Sequence, residues 1–398
     1  MSGLEAAWRR EAPGVVSALA RRYGAFDDCE DATQLALIAA SEQWPRDGVP
    51  EDPRAWLLRV ASRRLVDQWR SNDARRRREE RATAQSMDTE PAPSIDDSLQ
   101  LMVLCCHPAL TRTSQVALML RSVSGMTTAE IAAGFGVPET TMGQRISRAK
   151  STIRRTQVTF PQATPAEVVE RSLSVRHAIA VLFGEGHMRT SGRAVIGDVL
   201  TKEALHLARL LHALLPRDPE NAGLLSLLLL THARAAARAD ESGDLVPMDK
   251  QNRAQWDAAL IKEGITLVEG CLTAGPVGQF QVQAAIAAVH AEAASPTDTD
   301  WPQIQELYRM LATVAPSDAT QLGLATATAE ASGPAAGLAL LDEMPCRGNH
   351  RWWAVRGQLL QRLGRTEEAR EALTTAARLT RSIPEQRYLN RLLNLQAP

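Results

Sequence analysis

The sequence predicts an all-α protein, on three observations. Apolar residues recur at helical spacing, as in Leu200, Ala204, Leu207, Leu211 and Leu214, which step by four, three, four and three. Aromatic residues make up only 4%, and the period-two alternation of strands is hard to find. Hydrophobic residues at 44% and charged residues at 23% give enough apolar material for a packed core. The 398 residues allow two or three domains at about 150 residues each. Lys+Arg 45 against Asp+Glu 46 nearly cancel, so a nucleic-acid role must rest on local basic clusters.

Two composition breaks divide the chain. Residues 71–98, SNDARRRREERATAQSMDTEPAPSIDDS, pass from a basic run into Ser, Pro and acidic residues with almost no apolar content. A weaker break lies at Phe160-Pro161-Gln162-Ala163-Thr164-Pro165. The expected organisation is a first domain over 1–80, a flexible acidic linker over 81–98, a second domain over 99–157 and a helical extension over 158–398.

In the first domain, a helix over about 4–23 leads to the acidic start Asp27-Asp28-Cys29-Glu30-Asp31, which the helix dipole favours. The next helix runs to Trp44 with Ala32, Leu35, Ala36 and Ala39 on one face. Pro45–Pro53 reads as a loop. A basic helix follows from about Arg54, carrying Trp56, Arg59, Arg63, Arg64, Trp69 and Arg70 and leading to the Arg75–Arg78 run. Arginines at this spacing track phosphates, and exposed aromatics stack on unpaired bases. Trp56 reads first as core.

The sharpest motif is TTAEIAAGFGVPETTMGQRISRAK at 127–150. Ile131, Ala132 and Phe135 form the inner face of a short helix, Gly136-Val137-Pro138 a tight turn with Val137 as a plug, and Met142, Ile146 and Ala149 the inner face of a second helix. That is a helix-turn-helix, whose second helix enters the major groove. Its outer face carries Arg145, Arg148, Lys150, Arg154 and Arg155 with no acid between 141 and 155. Thr140 and Thr141 at its start suit phosphates, and Gln144 and Arg148, one turn apart, suit adenine or guanine edges. Neutralising about four phosphates would give a log K against log salt slope near −3.6.

Within the extension, Trp353, Gly357, Leu360, Ala369, Leu373 and Ala376 follow the tetratricopeptide pattern, with Leu363-Gly364-Arg365 as the inter-helix turn. Helix-length pieces at 198–215, 222–239, 255–273, 278–294, 301–314 and 334–344 precede it with degenerate signatures, so a tetratricopeptide-like array is expected. The Leu224–Leu230 run is too short for a membrane span and reads as a buried helix. The start MSGLEAAWRREAPG has no apolar run, and five scattered Cys build no disulfide framework. A cytoplasmic protein without membrane attachment is therefore expected. Cys105-Cys106-His107 lacks ligand-pair spacing and reads as a buried helix position. Nothing in the pattern calls for a metal or cofactor.

Together these pieces resemble bacterial sigma-70 factors of the extracytoplasmic function group, over about 5–157. AspAlaThrGln at 31–34 is similar to the region 2.2 signature, AlaTrpLeuLeuArgValAla at 55–61 to the start of the −10-reading region, and LQLMVLCCHPAL at 99–110 with GlyMetThrThrAlaGluIleAla at 125–132 to region 4. Residues 177–398 resemble the tetratricopeptide-like extension of one subgroup, through LeuPheGlyGluGlyHis at 182–187, GlnAlaAlaIleAlaAlaValHis at 283–290 and AspTrp at 300–301. The resemblance implies a non-enzymatic sigma factor whose partners are the β and β′ subunits of core RNA polymerase and promoter DNA. Glu30, Asp31 and Gln34 would contact polymerase. Trp56, Arg59, Arg63, Arg64, Asp67 and Arg70, with the loop 45–54, would capture a flipped base and open the −10 element. Thr140, Thr141, Gln144, Arg145, Arg148 and Lys150 would engage the −35 element. The acidic linker residues Asp88, Glu90, Asp96 and Asp97 would run along the polymerase's RNA path. The extension would regulate, through a ligand or regulatory partner, with Phe183, Glu185 and His187 as an interdomain contact. Leu35 stands where the family commonly has Glu, Arg63 where Asn is usual, and Gly143 where many relatives carry a larger residue.

Two other readings compete. A one-component helix-turn-helix regulator with a helical sensor explains 127–398 but gives residues 5–70 no role. An enzyme built on Glu185, His187, His206 or His212 has weak geometry, since His206 and His212 are six apart and share no helix face.

Overall fold

The computed structural model describes residues 3–23, 26–76, 97–124, 126–135, 137–155, 165–187, 198–273, 275–344, 349–380 and 382–394. Among these there is no strand element, and no helix is long and apolar enough to cross a membrane. The fold is all-α. The chain forms two compact units, Met1–Val181 and Leu182–Pro398. The division falls inside helix α8 (Pro165–His187), later than the break expected near residue 158.

The first unit opens with three helices, α1 (Gly3–Tyr23), α2 (Phe26–Asp47) and α3 (Pro53–Arg76), which pack on one another. Their shared core is Val15, Val16 and Leu19 from α1, Ala32, Ala36 and Ala40 from α2, and Leu57, Ala61 and Leu65 from α3. The expected loop at 45–53 is shorter, because α2 runs through Pro45 to Asp47. Pro45 lacks the N–H that would bond the Ser41 carbonyl, and the helix ends two residues later. Gly48, at φ 85°, turns the chain, and the Asp52 carboxylate accepts from Ala55 N at 2.9 Å to start α3. Four further helices follow: α4 (Asp97–Cys105), α5 (Arg112–Ser122), α6 (Thr128–Phe135) and α7 (Glu139–Arg155). Leu101, Met102, Leu118, Met119, Met126, Ile131 and Met142 are fully enclosed among them. α1 packs on α4 and α5, and α2 on α7, so both helical groups share one body. Cys105 and Cys106 are buried in it as helix-end core, and burial pushes the Cys106 thiol up to about 12. Residues 77–96, which include the acidic linker up to 96 with Asp88, Glu90 and Asp96, lie outside the described residues.

The second unit continues with α9 (Asp198–Leu214), α10 (Pro219–His232), α11 (Ala258–Leu272), α12 (Gln279–Glu292), α13 (Trp301–Val314), α14 (Asp318–Ser332), α15 (Pro334–Asp342), α16 (His350–Arg362), α17 (Thr366–Leu379) and α18 (Ile383–Asn394). Most pack chiefly on their neighbours in sequence, but α10 packs on α12 as extensively as on α11. The leucine run forms α10, where Leu224, Leu225, Leu228, Leu229 and Leu230 are buried, each contributing about 1.5–3 kcal/mol. α10 stops at His232 rather than continuing to 239, and a 3-10 turn at Ala235–Ala237 follows. α14 has no counterpart among the expected pieces.

Small residues set the helix spacing. A Cβ on Gly357 would lie 2.7 Å from Leu373 Cγ, and Gly364 at φ 73° makes the expected turn between α16 and α17. At Gly223 in α10 a Cβ would lie 2.7 Å from Gln281 N and 2.9 Å from Phe280 C, both backbone atoms of α12. Gly184 in α8 has open space instead. Gly223→Ala should therefore lower the unfolding free energy by about 1–3 kcal/mol through overpacking. Gly184→Ala should raise it by about 0.5–1 kcal/mol through backbone entropy. Denaturant unfolding of the two variants checks the opposite signs.

Candidate functional site

The helix-turn-helix is built from its caps inward. Thr127 and Glu130 form a reciprocal capping box: Glu130 N donates to Thr127 Oγ1 at 3.1 Å, and Thr127 N to Glu130 Oε2 at 2.7 Å. Ile131 and Ala132 are buried as expected, whereas Phe135 and Val137 are only half-buried. Gly136 lies outside the described residues. In α7 the inner stripe is Met142, Ile146, Ala149 and Ile153, all buried. That stripe fixes the rotation of α7, so Thr140, Thr141, Gln144 and Arg148 stand exposed and Arg145 half-exposed. The position of Gly143 is roomy, its nearest neighbour being Thr128 Cγ2 at 3.8 Å from a Cβ.

On α3, Arg59, Arg63, Arg64, Asp67 and Arg70 are exposed. Trp56 is half-buried edge-on against Trp44, ring centroids 5.5 Å apart. Trp69 is anchored too: its indole N–H donates to Asp28 Oδ2 at 2.8 Å, and it meets Tyr23 edge-on at 5.5 Å. The two tryptophans thus pin α3 to the helices beneath while the arginines stay in solvent.

The residues expected on polymerase do not share one environment. Glu30 is fully buried, while Asp31 is exposed and Gln34 half-exposed. Glu30 takes an ion pair from Lys150 of α7 and another from Arg121 of α5, whose Nε lies 3.0 Å from Glu30 Oε1. The Arg121 contact is ionic rather than an aligned hydrogen bond, since that oxygen has no hydrogen-bond donor. Lys150 also donates to Asp31 Oδ1 at 2.8 Å. Burial works against the Lys150 charge, but the two carboxylates outweigh it and hold the ammonium above the usual lysine range. Lys150, expected on DNA, is in this structure buried beneath α2, because α7 turns that side inward along with Ala149.

Asp31, Gln34, Leu35 and Ile38 of α2, Arg64, Asp67 and Gln68 of α3, and Arg121 line a groove of about 620 Å³. It brings Arg64 and Asp67, expected at the −10 element, beside the residues expected on polymerase. Leu35 and Ile38 are exposed at 42% and 55%, an apolar pair on an otherwise charged rim. Sequence reasoning missed Ile38 and Arg121. Ile38 follows Leu35 by three residues, which was the available signal; Arg121 had none.

In the second unit, Phe183 and His187 are buried and stacked, centroids 5.0 Å apart, and Arg238 donates to His187 Nε2. Burial and Arg238 push the imidazole down to about 2. Glu185 is half-exposed. Gly186 brings α8 against α9, since a Cβ there would lie 2.6 Å from Thr201 N. His206 is exposed and His212 half-buried, and among the described residues no three His, Cys, Asp or Glu groups gather as a metal site would need.

Comparison with known proteins agrees with this arrangement. The model for sigma-70 region 2 matches residues 7–75, that for sigma-70 region 4 matches 100–153, and a family of unknown function, DUF6596, matches 171–272. An uncharacterized protein of Rhizobium meliloti is 36% identical over 96% of this chain and 93% of its own length. A probable ECF RNA polymerase sigma factor, SigI of Mycobacterium tuberculosis, is 27% identical over 39% of this chain and 56% of its own. An ECF RNA polymerase sigma factor, SigK of a Mycobacterium species, is 30% identical over 30% of this chain and 62% of its own. No solved structure matches. The class is that of the sigma-70 transcription initiation factors, which are not enzymes. Within it, the chain belongs to the extracytoplasmic function group, with a DUF6596 domain in its C-terminal extension.

The ion cluster makes a direct prediction. Glu30→Gln leaves Lys150 with Asp31 and Arg121 with the Met126 carbonyl, and breaking a buried pair costs about 3–5 kcal/mol. The variant should melt earlier than the parent, and adding Lys150→Met should recover part of the loss. A Glu30→Gln melting temperature equal to the parent's would show that Glu30 carries no buried pair.

Proposed function

We propose that this sigma factor engages core RNA polymerase through the α2 surface around Asp31, Gln34, Leu35 and Ile38. In this reading α3 opens the −10 element and α7 reads the −35 element. The exposed outer face of α7 above its buried Met142–Ile146–Ala149 stripe carries the proposal, because it presents Gln144 and Arg148 together to a groove. Arg145 grips phosphate beside them. Arg59, Arg63 and Arg70 track the −10 backbone, and Trp56, half-buried, supports the helix and offers its free edge to an unstacked base.

The ion cluster adds a step to this reading. With Glu30 and Lys150 neutralising each other, the free protein holds its −35 module against its polymerase-binding helix. Polymerase binding replaces Lys150 and Arg121 as partners of that surface and frees α7 for DNA. The expected interdomain role of Phe183, Glu185 and His187 narrows to the local packing of the extension around Arg238, and the extension itself, as a tetratricopeptide-like array, regulates activity.

Reconstituted transcription with core polymerase tests the proposal. The full-length protein should start transcription at a cognate promoter, and truncation after residue 160 should change the output. Arg148→Ala should weaken binding to the −35 sequence by about 1–3 kcal/mol without an equal loss on scrambled DNA. Failure to initiate at any promoter, with or without the extension, would refute the assignment. Equal loss on both DNAs would place Arg148 on phosphate.

A further inference from the structure

The second unit holds an open pocket of about 350 Å³ lined by α10, α12, α13, α14 and the segment after α10. Its apolar wall includes Leu227, Ile286 and Leu311, and its polar groups include Arg234, Gln283, His290 and Tyr308. The volume lies within the range of small-molecule sites, as does an apolar wall with a few convergent polar groups. The motif GlnAlaAlaIleAlaAlaValHis at 283–290, which the sigma-factor reading leaves without a role, supplies one face: Gln283, Ile286, Ala287 and His290 fall on one side of α12 and all line the cavity.

The charge of this cavity is unbalanced. Arg234 is half-buried, with its guanidinium 5.8 Å from the Trp256 ring, and no carboxylate pairs with it among the described residues. Arg253 also lies over Trp256, 4.6 Å from the ring centroid, and donates to the His290 carbonyl at 2.7 Å. Arg238 is buried against His187, again without an acid. Among the described residues, the carboxylate acting on these arginines is the exposed Asp298, beside Arg253. The imidazoles can shed their charge: burial, then Arg234 and Arg253, push His290 down to about 4. The guanidiniums cannot. Burial followed by the neighbouring arginines pushes Arg234 and Arg238 down only to about 10, so both stay cationic at neutral pH. A charge drawn partly out of water without a partner is costly, and proteins normally satisfy it with a counter-charge.

We propose that this cavity is a binding site for a small organic anion, with a carboxylate or phosphate head held by Arg234 and an apolar body against Leu227, Ile286 and Leu311. A guanidinium fork matches the two oxygens of either head group. Gln283 and Tyr308 add neutral hydrogen bonds, and the Trp256 face keeps Arg234 in place. In the reading of the extension as a regulatory domain this anion is an effector. Its binding is measured without polymerase, so failure of one proposal leaves the other standing.

The test uses the full-length protein and four probes at millimolar concentration: benzoate, phenyl phosphate, inorganic phosphate and the neutral isostere benzamide. Tryptophan fluorescence and melting temperature are read at constant ionic strength. Benzoate or phenyl phosphate should give a saturable fluorescence change and a melting temperature that climbs with the logarithm of ligand concentration. Whichever of the two acts at lower concentration identifies the head group, and a response to inorganic phosphate alone would remove the apolar body from the proposal. Arg234→Met should abolish the response while leaving the unliganded protein as stable as the parent or more so, because it removes an unpaired charge. Ala319→Trp, at the exposed rim, should block entry without touching a buried group, so the proposal stays testable if Arg234→Met misfolds. No saturable response to any anion, an equal response to benzamide, or a response surviving Ala319→Trp would overturn it.

Discussion

One buried carboxylate organises the first unit. Glu30 sits on α2, and its two cationic partners come from α5 and α7, about 90 and 120 residues further along the chain. Removing three charges from water costs several kcal/mol per ion, and the cost is offset only if all remain paired. Complete, the cluster ties α7 to α2; breaking it would leave charges that must find water or another partner. Asp31, half in solvent at the rim, is the route by which water or a protein surface can reach Lys150. The interaction that stabilises the compact form is thereby built from groups that the proposed function assigns to polymerase and DNA.

The second unit is governed by close helix approach. Glycines at 186, 223 and 357 allow backbones or side chains to meet where a Cβ would collide. Caps fix the helix starts: Asp257 accepts from Ala259 N at 2.9 Å, and Glu220 accepts from Phe280 N and Gln281 N, both at 3.0 Å, tying α12 to α10. Against that tight packing, the cavity beside Arg234 is an exception with a charge to match. Arg234 reaches it because α10 ends at His232 and the 3-10 turn redirects the chain.

What could be read from the sequence was local. The α7 stripe of Met142, Ile146 and Ala149 follows from spacing alone, and so do the exposed positions between them. The leucine run of α10 and the Gly364 turn follow from composition and φ preference. The Glu30–Lys150 pair does not, because a contact across about 120 residues leaves no local signature, and Lys150 on a basic helix looks like any phosphate-binding lysine. α14 was missed because its buried residues are Thr320, Ala325, Ala327, Thr328 and Ala329, small side chains that draw no apolar stripe. Arg234 and Arg238 were read as a helix continuation to 239, since nothing in AlaArgAlaAlaAlaArg marks the stop. It is made by a distant partner, Asp257 N donating to the Ala233 carbonyl at 2.9 Å.

The clamp between α2 and α7 is tested most directly by the distance between site-specific spin labels at the exposed Ser41 and Ser147, measured in the free protein and in its complex with core polymerase. A single short, narrow distance in the free protein that is replaced by a longer one on binding is the predicted result. A broad, long distribution already present in the free protein, or a short distance that persists in the complex, would contradict the account.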